Sequence, residues 1–400
     1  MLEVKTLAQL NQIITDRFGH LRTQSESVRL KAALGRRLAE DVLANEYVPN
    51  FNRSTVDGYA LISADVFGCS ESIPAILSVV GQSQMGEHNP LKLQPGACAY
   101  VPTGGELPDG ADAVVMLEHT EDYEDGTIGV IKATAPGVNL IFKGDDLKPG
   151  QVIYQQGKKL DVGDIGTLAV LGFIQIPVWQ APVVGLISTG DELVEPGEPL
   201  GMGQIRDVND PMLTAALVKI GAQALSFGIC KDEPAAIREK ILAALQTCDG
   251  LMITGGTSVG FQDVIPDLVS ELGTLLAHGV AAKPGKPTLV GAIQEKPVFG
   301  LPGNPVAAFF MFQVLVKPLI EAMMSGHTQD IRLKMPLARA VPSNHGREDL
   351  LPVKIEAGQA NPMIGKSGLI TTLAGTDGYI RIPREKEGLK KDEMVDVILF

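Results

Sequence analysis

Three elements rich in glycine and proline crowd between Asp249 and Val306 and restrict how this part of the chain can run: Thr254-Gly255-Gly256-Thr257-Ser258-Val259-Gly260, Lys283-Pro284-Gly285-Lys286-Pro287 and Leu301-Pro302-Gly303-Asn304-Pro305. The apolar run from Asp249 to Thr254 reads as a strand ending in the first of them, and Phe261 to Leu272 resumes a helical pattern. A glycine loop in that position presents free backbone N–H groups at a helix N-terminus, where an anion is favoured. Lys283 and Lys286, held by prolines and a glycine, add fixed positive charge, and Asp263 supplies a hard oxygen of the kind magnesium prefers. Any one piece alone is more simply a turn. Together, with lysines and a carboxylate at their ends, they point to an oxyanion site for a nucleotide or polyphosphate ester.

Two common phosphate motifs are excluded. Gly279 and Gly285 are separated by five residues where a Walker A loop has four, and Pro287 follows Lys286 in place of Ser or Thr. No G-x-G-x-x-G follows a strand in this region, so the dinucleotide fingerprint is absent too.

From Pro182 onward strands and helices alternate: Val183 to Ser188, a helix from Pro211 to Ile220, Gln223 to Ile229, a helix from Pro234 to Leu245, Gly250 to Thr254, and the helix near Phe261. The alternation predicts a doubly wound, mostly parallel sheet, with ligands beyond the carboxyl ends of its strands. Met311 to Met323 closes the unit as an apolar helix, and Arg332 to Phe400 reads as a small β-barrel or sandwich. At the other end, Thr6 and Gln9 form a capping box ahead of a helix through Phe18, and a second helix is expected over Val28 to Ala33. Short strands between turns predict a β-module from Tyr47 to about Asp146, with the acidic run at Glu121, Asp122, Glu124 and Asp125 as a solvated hairpin turn. The glycine-punctuated stretch from Lys148 to Val178 connects back to the early helices as a discontinuous domain.

At 400 residues several domains are expected, and a net charge of -13 argues against nucleic-acid or anionic-membrane partners. An anion must then be captured by local geometry. No apolar run reads as long enough to span a bilayer and no signal peptide is evident, so a cytoplasmic location is expected. The four cysteines form no C-x-x-C pair, which suits reduced thiols better than disulfides or zinc. Of the carboxylates near the strand ends, Asp207 and Asp210 read as capping residues, Asp210 as the N-cap before Pro211. Glu192, Asp232 and Asp263 are the better candidates to hold magnesium beside Lys283 and Lys286.

The ordered set of motifs resembles the molybdopterin molybdenumtransferases of molybdenum-cofactor biosynthesis over nearly the whole length. The resemblance rests on Arg53-Ser54 with Asp57-Gly58-Tyr59-Ala60, Pro102-Thr103-Gly104 with Gly110-Ala111-Asp112-Ala113-Val114-Val115, Ser188-Thr189-Gly190-Asp191-Glu192-Leu193, Gly203-Gln204-Ile205 through Asn209, and the three glycine and proline elements in order. It implies a multidomain α/β plus β subunit: a doubly wound molybdopterin-binding domain (1–20 and 178–327), a discontinuous elongated domain (21–46 and 147–177), a β-module (47–146) and a C-terminal β-barrel-like domain (328–400). It implies a homodimer with shared active sites, adenylylated molybdopterin and molybdate as substrates, Mg2+ as cofactor, and AMP release on diphosphate cleavage. Molybdopterin adenylyltransferase and cofactor-accepting enzymes are the implied protein partners. By motif position, Asp57, Thr103, Glu192, Asp232, Asp263, Lys283 and Lys286 would be catalytic, with Glu192, Asp232 and Asp263 toward the metal. Gly255, Gly256, Ser258, Pro302, Gly303, Asn304, Arg347 and Ser367 would contact substrate.

One segment departs from the family. Where many members carry arginines, this chain reads Asn139-Leu140-Ile141-Phe142-Lys143-Gly144-Asp145-Asp146, and Ile141 and Phe142 cannot bind an anion. The choice between molybdate and tungstate is left open by it. Alternative readings are a molybdopterin adenylyltransferase, against which the extra β-modules count, and a non-catalytic molybdopterin-binding scaffold, against which the intact charged positions count.

Overall fold

The structure is a computed structural model describing residues 4–255, 264–326, 330–365 and 369–400. It divides into two compact units, one of residues 1–40, 156–161 and 175–400, the other of 41–155 and 162–174. The first contains the helix α1 (Leu7–Phe18), begun by the expected reciprocal capping of Thr6 and Gln9. Its main sheet is built from β1 (Val183–Thr189), β2 (Gln223–Cys230), β3 (Gly250–Thr254), β4 (Thr274–His278), β6 (Leu289–Ile293) and β7 (Lys296–Leu301). The strand order is β2-β1-β3-β7-β6-β4. The four strands from β2 to β7 run parallel, and β6 and β4 complete an antiparallel edge. The helices α2 (Asn209–Ile220), α3 (Pro234–Thr247) and α4 (Val264–Leu272) join the strands. The fold class is thus the expected multidomain α/β with β-rich parts.

The two faces of the sheet bury different sets of side chains. Leu186, Met252 and Phe299 join α1 and α2 in one core, and Ile187, Leu251, Ile253 and Val298 join α3 and α4 in another. Both faces being covered explains why these strands read as continuous apolar runs.

Chain order then brings α5, the continuous helix Pro305–Met323. Its five residues Phe312–Val316 form a wide π turn, with the Lys317 N–H bonded to the Phe312 carbonyl. Pro318 lacks an N–H and its ring would crowd the preceding turn; the wider turn accommodates it. At 19 residues and mean hydropathy 1.7, α5 is long and apolar enough to span a bilayer, which corrects the sequence reading that no such run exists. It is a core helix here, 72% buried.

The short strand β5 (Ala282–Lys283) couples this sheet to a second one formed by β8 (Arg332–Pro336), β9 (Glu348–Glu356), β10 (Gln359–Pro362), β11 (Gly378–Ile382) and β12 (Met394–Leu399). The order is β5-β9-β11-β12-β8, with β10 on β9. Phe310 of α5 meets Tyr379 of β11 edge-on at 5.4 Å between ring centroids, and Tyr379 stacks on Phe400 at 5.7 Å. Burial raises the Tyr379 hydroxyl to about 12. Each such aromatic contributes on the order of 1.5–3 kcal/mol through burial. That fastens the C-terminal sheet to the helix that starts at Asn304.

Residues 25–29 correct another expectation. The chain expected as a helix over Val28 to Ala33 is a strand, Ser25–Arg29, paired antiparallel with Gln175–Trp179, followed only by a 3-10 turn at Leu30–Ala32.

The second unit is built on a six-stranded sheet in the order Ala113–Met116, Gly58–Leu61, Ala97–Val101, Ala75–Gln82, Thr127–Val130, Thr120–Asp122. Leu61, Val66, Leu77, Cys98, Val115 and Ile128 fill its core. The acidic run is the expected hairpin turn: Asp122 Oδ1 accepts from the Glu124 N–H at 2.9 Å, and Asp125 Oδ1 from the Thr127 N–H at 2.9 Å.

Candidate active site

Lys283 and Lys286 stand on a backbone that the fold holds tightly. The N-terminal segment pairs with it just upstream, Lys5 N–H to Gly279 carbonyl at 3.1 Å and Ala281 N–H to Lys5 carbonyl at 2.7 Å. The Lys286 carbonyl accepts from Val280 at 2.9 Å, and the Thr288 hydroxyl donates to the Gly285 carbonyl at 2.6 Å. Gly285 has φ +123°, and a Cβ there would lie 2.6 Å from Met311 Cε on α5. Only glycine lets this turn sit on the helix. Both lysine side chains remain exposed.

They line a cavity of about 660 Å3. Pro302, Asn304 and Val306 from the β7–α5 junction line it too, as do the apolar side chains of Val341, Leu350, Leu351, Pro352, Ile364 and Ile382. Asp349 reaches the same space, its Oδ2 3.4 Å from Lys283 Nζ. Two lysines within a largely apolar lining suit a ligand with an anionic group and a flat, largely apolar body.

A second group of candidates gathers at the carboxyl ends of β1 to β3, where the doubly wound topology places ligands. Gly255 ends β3 at φ +88°, so close to β1 that a Cβ would lie 2.1 Å from the Thr189 carbonyl. Asp191, Glu192 and Asp232 follow β1 and β2, and the Asp232 N–H donates to Asp191 Oδ1 at 3.4 Å. Burial first, then the Asp191 carboxylate, pushes the Asp232 carboxyl above its ordinary range, with Glu192 adding to the effect. Crowded carboxylates and an oxygen-only donor set fit a hard divalent cation such as magnesium. Among the described residues no set of three or more His, Cys, Asp or Glu is arranged around a metal position. Asp263, the third carboxylate expected there, lies outside the described residues, as do Gly256, Ser258 and Ser367.

Gly303 and Gly255 connect the two groups, since a Cβ on Gly303 would be 3.7 Å from the Gly255 Cα. Asn209 Nδ2 donates to the Gly303 carbonyl at 2.9 Å and fixes the junction from α2. Sequence reading places Asn209 only among the polar loop residues near the strand ends and within a family motif. It read both Asp207 and Asp210 as capping residues, with Asp210 as the N-cap; the buried Asp207 does cap the helix, its Oδ1 accepting from the N–H groups of Asn209 at 2.9 Å and Asp210 at 3.3 Å, and Asp210 does not. Asp210 instead bonds the Ser226 hydroxyl. Glu192 and Asp232 do not line the lysine cavity, and neither does the half-buried Arg347.

In the other unit, Asp57 and Thr103 are both exposed and directly joined, the Thr103 N–H donating to Asp57 Oδ1 at 2.8 Å. The segment that departs from the family pattern runs beside them. Leu140–Ile141 pairs with Arg53–Ser54, with Ile141 in register with Arg53. Phe142 is 42% exposed, and Lys143 Nζ lies 5.1 Å from the Tyr47 ring centroid. A cation lost at Ile141 therefore has an exposed arginine as its strand partner. Arg53 was read only as part of a motif, because the pairing spans a long separation in sequence.

Three family models cover the chain in order: MoeA N-terminal region (domain I and II) over residues 5–172, a probable molybdopterin binding domain over 185–322, and MoeA C-terminal region (domain IV) over 334–400. A putative molybdopterin biosynthesis protein of Methanocaldococcus jannaschii is 35% identical over 94% of this chain and 92% of its own length. The molybdopterin molybdenumtransferase of Bacillus subtilis is 32% identical over 100% of this chain and 96% of its own. A crystal structure of the molybdopterin biosynthesis MoeA protein from Pyrococcus horikoshii superposes with a TM-score of 0.88 at 31% identity, covering 100% of both chains. Agreement in sequence and in fold along its full length makes this chain a member of the molybdopterin molybdenumtransferase family.

Proposed function

We propose that the protein is a transferase that inserts molybdate into adenylylated molybdopterin, cleaving the diphosphate and releasing AMP. The observation that carries this reading is the lysine cavity, which combines Lys283 and Lys286 with a largely apolar lining. The diphosphate would lie against Lys283 and Lys286, with Asn304 and the Pro302-Gly303 turn at its side, and the pterin along Leu350, Leu351 and Ile382. The two ammonium groups would stabilise negative charge gathering on the diphosphate oxygens as the P–O bond breaks. Glu192 and Asp232 would hold magnesium, with Asp263 the third carboxylate of this reading, and the bound ion would supply further charge neutralisation. Molybdenum would take its soft ligands from the substrate's own sulfurs. The protein's thiols suit that division: Cys98, Cys230 and Cys248 are buried, and burial holds Cys98 up at about 12.

In this proposal the active form is a homodimer in which Asp57 and Thr103 of one copy complete the site of the other, supported by their mutual hydrogen bond on an exposed surface. Arg53 supplies the cation that Ile141 and Phe142 do not. A single-domain adenylyltransferase is disfavoured by the family matches on either side of the molybdopterin-binding region. The expected location is the cytoplasm.

The test is AMP release from purified protein given adenylylated molybdopterin and magnesium, with and without molybdate, while metal in the pterin product is followed. Molybdate-dependent AMP release with metal insertion is expected. Pterin binding without turnover, with tungstate as well as molybdate, would replace the transferase by a scaffold.

A further inference from the structure

We infer that Asp349 is the internal counter-ion of the lysine cavity: it positions Lys283 and competes with the bound oxyanion for it, setting how tightly the site holds its anionic ligand. The inference rests on the functional reading above and adds a residue to it.

Lys283 and Asp349 are direct register partners in the short parallel ladder between β5 and β9. Their side chains meet at 3.4 Å, with Lys283 49% exposed and Asp349 only 10%. The other carboxylate oxygen, Oδ1, is buried with no hydrogen-bond partner among the described residues. A buried carboxylate with so few contacts is costly to hold and draws strongly on the Lys283 ammonium beside it. Lys286, by contrast, has no ion pair or side-chain hydrogen bond among the described residues. Among the described residues that line the cavity, the charges of Lys283, Lys286 and Asp349 sum to +1. An oxyanion docking on Lys283 meets an ammonium already engaged by Asp349 and must compete with that carboxylate for it.

This arrangement favours release. Two unopposed lysines would hold AMP or a pterin phosphate tightly after cleavage, whereas a competing carboxylate recaptures Lys283 as the product leaves. Because Asp349 sits on β9 and Lys283 on β5, the same pair ties the C-terminal sheet to the lysine segment that lines the cavity.

The test uses the full-length protein and its Asp349→Asn variant, whose amide keeps size and an acceptor for Lys283 but carries no charge. Inorganic pyrophosphate and AMP are titrated calorimetrically into each. Tighter pyrophosphate binding by roughly three- to tenfold is expected in the variant, as for a charge pair at partial exposure. Turnover should fall in the same variant, because the ammonium loses its orientation. The gain in binding should vanish when Lys283→Ala is combined with Asp349→Asn. A merely structural Asp349 would give weaker binding and a lower Tm. Unchanged or weaker pyrophosphate binding, or an equal gain without Lys283, overturns the inference while leaving the transferase reading intact. Failure of the wild-type protein to bind pyrophosphate, AMP and adenylylated molybdopterin alike overturns both.

Discussion

The backbone N–H of Thr103 donates to Oδ1 of Asp57 across 2.8 Å, so the loop after one strand of the β-rich unit is anchored on a carboxylate at the start of another. Two roles can be separated by substitution. Asp57→Asn keeps the acceptor and removes the charge; Asp57→Ala removes both. If Asp57 serves the chemistry through its charge, both variants lose turnover by roughly tenfold or more, within the range of one positioned polar group. Steady-state AMP release, with circular dichroism to check folding, decides the matter: full activity in Asp57→Asn beside a defective Asp57→Ala would reduce the residue to a loop anchor.

Gly255 offers a sharper steric prediction. Its φ of +88° and the 2.1 Å approach that a Cβ would make to the Thr189 carbonyl leave no space for alanine. Gly255→Ala should cost about 1–3 kcal/mol and displace the turn that touches Gly303. Thermal unfolding should show a lowered Tm, and pterin binding should weaken with it. A variant with wild-type Tm and binding would mean that β1 and β3 can separate at their carboxyl ends without consequence.

Glu321, on the last turns of α5, is 8% exposed and pairs with Arg37, itself 10% exposed, at 3.4 Å. Burial raises its carboxyl above the ordinary glutamate value, and Lys317 and Arg37 only partly offset this. The folded state thus binds the proton more tightly than the unfolded chain. The resulting stability is fully present below the unfolded value and is lost as pH rises through the raised folded one. Relative to Glu321→Gln, the wild-type protein should lose stability as pH climbs from the ordinary glutamate range upward, and the difference should level off once the group is ionised. Paired denaturation curves across that range test the sign: wild-type stability that rises with pH relative to the variant would mean that the ion pair with Arg37 outweighs burial.

What could be read in the chain without coordinates follows the range of the interactions involved. Thr6 and Gln9 are three residues apart and were legible as a capping box; so were β1 to β3, whose apolar runs alternate with helices. Ser25–Arg29 was not, because it is a strand only by pairing with Gln175–Trp179, far along the chain. The helix Val162–Val170 was hidden by Gly163 and Gly166, which lower helix propensity. The start of α5 was read as part of a turn, though Asn304-Pro305 is an N-cap and first-turn proline. In the site, Lys283 and Lys286 stood out through their local glycine and prolines. Asp349 did not, since it meets Lys283 only through a two-residue ladder that spans a long separation in sequence.

Lys286 and Lys283 line the same cavity, but among the described residues only Lys283 is held by a carboxylate, and this predicts unequal effects on substitution. Lys286→Ala removes a charge with no such partner and should weaken pyrophosphate binding more than Lys283→Ala, because an ammonium already engaged by Asp349 contributes less to a bound oxyanion. Turnover should fall in both, by roughly a hundredfold if each ammonium meets charge that develops in the transition state. Lys286→Ala should raise KM for adenylylated molybdopterin as well as lower kcat, whereas Lys283→Ala should act mainly on kcat. Equal losses of pyrophosphate affinity in the two variants would show that the lysines are interchangeable point charges and that the asymmetry of their surroundings has no functional consequence.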